Sequence, residues 1–305
     1  MYKSLLRIVV VTSVLLIQYN VKAQTSGTIE DIMKIVAPGA TLKKVSGQFT
    51  FTEGPAADKN GNIYFTDQPN DKIYKYSTDG TIALFMDKTS RANGLYVDKK
   101  GNIIACADEK GEILQISPNK KTTVLTAKYQ GRQFNGPNDL WIDPAGGIYF
   151  TDPYYQRDYW VRKNPDLPKQ NVYYLASGKK DAVIVDSLLM QPNGITGSKD
   201  GKRLFVADIR DNKTYVYDIT KNGMLANRKV FVSQGSDGMT IDNNGNLYLT
   251  GRGVTVYDKN SEKIAQIPVP SGWTANVIFG GKDFKTLFIT AVESVYTLEM
   301  NVSGK

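Results

Sequence analysis

Four residues with oxygen-donating side chains occupy matching places in a recurring sequence pattern. Glu53, Asn138, Asn193 and Asp237 each begin a short pair, usually completed by glycine, that leads into an apolar stretch. Two carboxylates and two amides suit one hard divalent cation, because they neutralise its charge and leave coordination positions for water. Each pair read alone is a common turn sequence. Their recurrence at one place in a repeat, rather than any single pair, indicates a shared metal site.

Glu53 is the residue of this set that most needs such a partner. It precedes Gly54-Pro55 and follows the apolar segment 49–52, where it has no evident turn role. A buried carboxylate must be compensated by a charge or by hydrogen bonds. Asn93 occupies the matching place between Glu53 and Asn138, and we expect it to reach either a water on the metal or a substrate.

The composition restricts the available chemistry. The chain has no histidine and one cysteine, Cys106, which excludes Ser-His-Asp and Cys-His catalysis and the usual zinc sites. Cys106 lies in an apolar run and is expected to be a buried strand residue. The metal is therefore expected to be held by oxygen and to be Ca²⁺, with Mg²⁺, Mn²⁺ or Zn²⁺ as alternatives.

A turn-and-strand unit recurs through the chain and would position these residues. Each copy has a turn rich in Asp, Asn and Gly, followed by a run of β-branched and aromatic residues. The six copies begin at Asp58, Asp98, Asp143, Lys199, Asp242 and Gly281. A period of roughly 40 to 45 residues with several short strands is typical of propeller blades. The sequence predicts an all-β, six-bladed β-propeller over residues 24–305, as a single domain with the metal site in its central channel.

The first 23 residues have the composition of a signal peptide. Lys3 and Arg7 flank the start of a short apolar run, residues 8–17, and Val21-Lys22-Ala23 offers small residues for cleavage. The run is too short to span a bilayer as a helix. We expect residues 1–23 to be removed and the chain to be periplasmic or secreted. An uncleaved N-terminal anchor is the alternative.

The charge distribution indicates which kinds of macromolecular partner are not expected. The net charge of +8 comes from lysines scattered among turns rather than from a basic stripe, so no nucleic-acid partner is expected. No membrane association is expected after cleavage of the signal peptide. A closed propeller exposes no sheet edge that demands a partner, and we expect a monomer.

The chain resembles the senescence marker/gluconolactonase/regucalcin-like propellers, from about Val45 to Leu298. The motifs that carry the resemblance are Thr52-Glu53-Gly54-Pro55, Phe134-Asn135-Gly136-Pro137-Asn138-Asp139-Leu140, Gln191-Pro192-Asn193-Gly194 and Ser236-Asp237-Gly238-Met239. The resemblance implies a divalent cation in the channel, held by Glu53, Asn193 and Asp237, with Asn138 as a ligand or a contact through water or substrate. It also implies hydrolysis of sugar lactones such as gluconolactone. The lack of histidine departs from the related paraoxonase branch.

The residue pattern and the resemblance together suggest roles for the site residues. The metal would polarise the lactone carbonyl while a carboxylate activates water. Asp237 is the first candidate for this base, although a cation-bound carboxylate is a weak base. Asp139 is the second candidate and could instead support the metal ligands. The residues expected to contact the substrate are Asn138, Asn135, Arg132 and Asn93.

The sequence leaves open the role of one insertion and the exact activity of the protein. The longest interval in the repeat carries an insertion, Pro153 to Lys169, which is either a substrate-contacting loop or an elaborate connection between strands. Hydrolysis of another ester or of a phosphoester is an alternative activity, and a binding propeller that uses its ion only for structure or ligand capture is an alternative class. Fold alone does not separate them.

Overall fold

The computed structural model describes residues 34–304. The predicted signal peptide lies outside this range, so its cleavage and the localisation stay predictions. Within residues 34–304, no helix has the length and hydropathy needed to cross a membrane.

Short antiparallel strands dominate the described chain. Residues 34–304 contain these 26 strands: β1 (Lys43–Ser46), β2 (Thr52–Ala57), β3 (Ile63–Asp67), β4 (Lys72–Tyr76), β5 (Ile82–Asp87), β6 (Ala92–Val97), β7 (Ile103–Ala107), β8 (Glu112–Ile116), β9 (Thr122–Thr126), β10 (Lys128–Tyr129), β11 (Arg132–Gln133), β12 (Leu140–Ile142), β13 (Ile148–Asp152), β14 (Asn171–Leu175), β15 (Val183–Asp186), β16 (Pro192–Gly197), β17 (Arg203–Asp208), β18 (Lys213–Ile219), β19 (Leu225–Val232), β20 (Met239–Ile241), β21 (Leu247–Leu249), β22 (Val254–Tyr257), β23 (Lys263–Ile267), β24 (Asn276–Gly280), β25 (Thr286–Ala291) and β26 (Ser294–Glu299). Two 3₁₀ turns, Gln68–Asn70 and Lys221–Gly223, join strands.

The strands form six four-stranded sheets and one two-stranded ribbon, β10–β11, within residues 34–304. Blades 1 to 5 are β2–β5, β6–β9, β12–β15, β16–β19 and β20–β23. Blade 6 is β24–β26 completed by β1. The first strands of neighbouring blades contact one another around a closed ring, from β2 through β6, β12, β16, β20 and β24 back to β2. This confirms the predicted six-bladed β-propeller.

The core lies between the blades, because each blade buries both faces of its second strand. All five residues of β7 are buried, and so are all five of β13. Such strands are apolar on both faces, which explains the continuous rather than alternating runs in the sequence. Cys106 lies in β7 and is buried, as predicted.

An aspartate at the end of the second strand fixes the entry to the first strand of the same blade. In blade 1, Oδ1 of Asp67 accepts hydrogen bonds from the backbone N–H groups of Thr50 and Phe51, both at 3.1 Å. Asp152 in blade 3 and Asp208 in blade 4 bind the equivalent backbone groups. Hydrogen bonds to a charged acceptor are strong, so they hold the segments that lead to the channel.

Glycine at the second place of the recurring pair allows neighbouring first strands to approach closely. A Cβ on Gly54 would lie 1.9 Å from the carbonyl oxygen of Asn93, and one on Gly194 would lie 2.1 Å from that of Asp237. Gly54 also has φ of +45°, a conformation that other residues adopt rarely. The pairs therefore belong to the wall of the channel rather than to solvent-exposed turns.

Candidate active site

The recurring pairs place their first residues at the same level of the channel wall. Glu53, Asn93 and Asn193 are each the second residue of the first strand of their blade. Asn138 precedes β12 with Asp139, and Asp237 lies two residues before β20. The residues of this set are all buried.

Hydrogen bonds between blades, each from a threonine hydroxyl to a backbone carbonyl, keep these side chains at the same level of the channel. Oγ1 of Thr151, in the second strand of blade 3, donates to the carbonyl oxygen of Asn193 in blade 4, at 2.7 Å. Oγ1 of Thr66 does the same for Asn93 at 3.2 Å. Each of these hydrogen bonds runs from the second strand of one blade to the first strand of the next, and so sets the position of a site residue along the channel axis.

Asn276 joins the acids of two distant blades. Its Nδ2 lies 3.3 Å from Oε2 of Glu53 and 3.4 Å from Oδ2 of Asp139, while its Oδ1 accepts the backbone N–H of Val277 at 2.8 Å. The amide thus donates to both carboxylates at once. Sequence reasoning did not assign Asn276 to the site, although it begins the sixth copy of the recurring pair.

Asp237 is held by a tryptophan donor. Nε1 of Trp273 donates to Oδ2 of Asp237 at 2.6 Å. Burial raises the pKa of Asp237, and the side chains of Trp273 and Asn193 offset part of that rise. Trp273 was not identified from the sequence, since nothing in the pattern links an isolated tryptophan to a carboxylate 36 residues away.

The acids at the channel centre are close enough to disturb one another. Burial raises the pKa of Glu53 well above its ordinary value, and the negative charge of Asp237 raises it further. Burial also raises the pKa of Asp237 to about 6 and that of Asp139 to about 7. Two neighbouring buried carboxylates resist ionising together unless a cation compensates them.

The donor chemistry fits a hard dication. Glu53 and Asp237 offer carboxylate oxygens, and Asn193 and Asn138 offer amide oxygens. Within residues 34–304, Oδ1 of Asn93 is buried without a hydrogen-bond partner, which is unusual for an amide oxygen. In the same range, no three His, Cys, Asp or Glu side chains are grouped as metal ligands. A cation here would therefore depend on amide oxygens as well as carboxylates, a mixture that suits Ca²⁺.

Two residues expected to contact a substrate lie elsewhere. Asn135 is fully buried, and its amide bonds to the insertion through the carbonyl oxygen of Lys169 at 3.0 Å and the N–H of Leu167 at 3.3 Å. Its side chain supports the insertion rather than facing the channel acids. Arg132 is exposed in the ribbon β10–β11, paired with Tyr129. Their predicted roles stay predictions.

The metal-free protein is expected to lose stability as the pH rises from about 4 to about 7. Folding raises the pKa of Asp237 to about 6, and those of Asp139 and Asp152 to about 7. The folded state thus binds protons more tightly than the unfolded state, and the stability gained below about pH 4 is lost as the pH passes these values. The chain has no histidine to titrate in this window. Thermal unfolding with a chelator present would measure the effect, and a midpoint that rises over this range would contradict it.

A closed ring of six sheets, with buried acids and amides meeting in its channel, defines a six-bladed propeller with its functional groups at the axis. The chain belongs to the SMP-30/gluconolactonase/LRE-like family, whose family model matches residues 51–293. This confirms the resemblance seen in the motifs. Gluconolactonases and other lactonases occur among its relatives.

Relatives with similar sequences or structures support the assignment along most of the chain. Gluconolactonase of Zymomonas mobilis is 26% identical over 309 residues, which cover 92% of this chain and 86% of the relative. Diisopropyl-fluorophosphatase of Loligo vulgaris is 26% identical over 307 residues, covering 90% and 96%. The solved structure of a gluconolactonase from Xanthomonas campestris superposes with a TM-score of 0.81 at 26% identity, over 88% of this chain and 91% of that one.

Proposed function

We propose that the protein hydrolyses sugar lactones in its central channel and needs one divalent cation, Ca²⁺ by preference, to do so. Glu53, Asn193 and Asp237 would hold the ion, with Asn138 as a fourth donor and Asn93 facing a bound water. The observation that carries the proposal is the pair of buried carboxylates, Glu53 and Asp237, whose charges repel each other. Within residues 34–304 neither forms an ion pair with a basic side chain.

The protein's own residues supply the proton transfers. When bound, the dication supplies positive charge that favours the oxyanion formed at the lactone carbonyl. Asp237 accepts a proton from the attacking water, whose oxygen bonds to the carbonyl carbon as the ring C–O bond breaks. The proton then passes to the leaving ring oxygen, so that the product is an open hydroxy acid. Trp273 fixes Oδ2 of Asp237 and thereby selects which oxygen takes the proton.

Asp139 is better suited to a supporting role than to that of the base. Its Oδ1 accepts the backbone N–H of Leu140 at 2.9 Å, and its Oδ2 faces Asn276 at 3.4 Å. Both carboxylate oxygens therefore already have protein donors. Through Asn276, Asp139 is linked to Glu53, and this places it among the groups that orient the proposed ligands.

Hydrolysis of glucono-1,5-lactone by chelator-treated protein tests the proposal directly. The spontaneous rate is expected without metal, and a rate well above it after adding Ca²⁺, Mg²⁺ or Mn²⁺, followed with a pH indicator. A short panel of other sugar lactones would separate substrate preference from inactivity. If no lactone is hydrolysed above the spontaneous rate with any ion, the proposed activity fails, while the fold and family assignments remain.

A phosphoester hydrolase is the second candidate. It is supported by the relative from Loligo vulgaris, whose name describes action on a fluorophosphate and which matches this chain over 90% of its length. The same proposed ion and the same water-activating carboxylate would serve either reaction. Diisopropyl fluorophosphate, assayed by fluoride release under the same conditions, distinguishes the two activities.

A further inference from the structure

The insertion (Pro153 to Lys169) is anchored to blade 2 through one aspartate. Oδ2 of Asp108 forms an ion pair with Nε of Arg157 at 2.8 Å and accepts hydrogen bonds from the Tyr159 hydroxyl at 2.5 Å and from Nε2 of Gln68 at 2.7 Å. Nε1 of Trp160 donates to the backbone oxygen of Asp108 at 3.1 Å. The insertion is thus fixed over the channel end of blade 2.

Blade 2 lacks the aspartate that fixes the strand entry in other blades. Asp67 ends the second strand of blade 1 opposite Thr52 and binds backbone N–H groups of its own blade, whereas Ala107 takes this place opposite Ala92 in blade 2, and Asp108 is the next residue. In blade 2 that task falls to Asp71, whose Oδ1 accepts the N–H groups of Thr89 and Arg91. The Asp108 side chain is therefore available to hold the insertion.

The anchored insertion brings Tyr155 to the acids of the channel. Nδ2 of Asn193 donates to the Tyr155 hydroxyl oxygen at 2.9 Å. With the Asn193 Nδ2 bound to the phenol, the carbonyl oxygen of this amide is the atom left to face a cation.

We propose that Tyr155 is a positioning residue, which fixes the Asn193 amide in the orientation that presents its oxygen to the channel cation. This inference rests on the metal site of the proposed function. An asparagine can bind a cation only through its oxygen, and a ligand whose other end is fixed loses less freedom on binding. The insertion would thereby set the metal affinity of a channel that it does not itself line with ligands.

The test compares two single-hydroxyl deletions in the same loop. In Tyr155→Phe the acceptor for Asn193 is lost and the ring is kept. Tyr154→Phe is the matched control, because the Tyr154 hydroxyl donates to Gln156 within the exposed part of the insertion, at 2.5 Å. Calorimetric titration of Ca²⁺ into chelator-treated protein is expected to show about 10- to 100-fold weaker binding for Tyr155→Phe and unchanged binding for Tyr154→Phe. Lactone hydrolysis by Tyr155→Phe is expected to recover as Ca²⁺ is raised to saturation.

The other possible results of this test either overturn the inference or separate it from the proposed function. Equal Ca²⁺ affinity in Tyr155→Phe and the wild type overturns the inference, and so does an equal loss in both variants, since that would reflect a loosened insertion. If the wild type binds neither Ca²⁺, Mg²⁺ nor Mn²⁺, the inference falls together with the proposed metal site. If Tyr155→Phe alone binds Ca²⁺ weakly but no lactone is hydrolysed, the positioning role stands and the proposed activity fails.

Discussion

Replacing Asp237 by asparagine is expected to lower kcat/KM for glucono-1,5-lactone by about 100- to 10,000-fold, the usual contribution of a positioned base. Asparagine keeps the size of the side chain and can still accept the hydrogen bond from Nε1 of Trp273. It cannot accept a proton from water. The measurement is a steady-state assay at saturating Ca²⁺, so that weaker ion binding by the variant does not account for the loss.

Asp139→Asn is the comparison that assigns the base. Asp139 is also buried, and its pKa is raised to about 7, but its two carboxylate oxygens have protein donors. We expect a smaller loss of kcat in this variant than in Asp237→Asn, together with weaker metal binding, because the amide of Asn276 would lose a charged acceptor. A larger loss of kcat for Asp139→Asn at saturating Ca²⁺ would transfer the role of base to Asp139.

Glu53→Gln is expected to weaken Ca²⁺ binding by about 100-fold or more, since the affinity of oxygen sites depends on the number of charged ligands. The metal-free variant should also be more stable than the wild type at pH 8, because the substitution removes a buried charge next to Asp237. Calorimetric titration measures the first effect and thermal unfolding in chelator measures the second.

Glu262→Gln is the matched control for this change. Glu262 is exposed in a turn of blade 5, so the same loss of one carboxylate charge should change neither the Ca²⁺ affinity nor the unfolding midpoint. If Glu53→Gln binds Ca²⁺ as tightly as the wild type, Glu53 is not a ligand. Its burial beside Asp237 would then need a different compensating partner.

The number of blades was predictable because its determinants are local. Each copy of the repeat carries its own turn residues and its own apolar strand, so the period is visible without knowledge of any long-range contact. The positions of Glu53, Asn193 and Asp237 were predictable for the same reason: each has a fixed place in a unit whose innermost strand must face the axis.

The contacts that join blades were not predictable in this way. Asn276 reaches Glu53 across 223 positions and Asp139 across 137, and no local pattern records such a pairing. Asn135 shows the same limit. Its place just before the third recurring pair suggested a substrate contact, which stays a prediction, while the backbone partners that the insertion supplies for its amide were not visible in the sequence. Such roles depend on which neighbouring group contacts a side chain. Those contacts are known only from the three-dimensional arrangement.

The closure of the ring by β1 affects how the protein can fold during its synthesis. Lys43 and Lys44 pair with Thr297 and Tyr296, so β1, the first strand within residues 34–304, gains its partner only after β26 has been made. Bringing together segments so far apart in sequence is entropically costly and slow. Glu53 of blade 1 and Asn276 of blade 6 meet only when the ring is complete. A nascent chain that lacks blade 6 therefore has no assembled centre, and the centre first forms once β24 to β26 have been made.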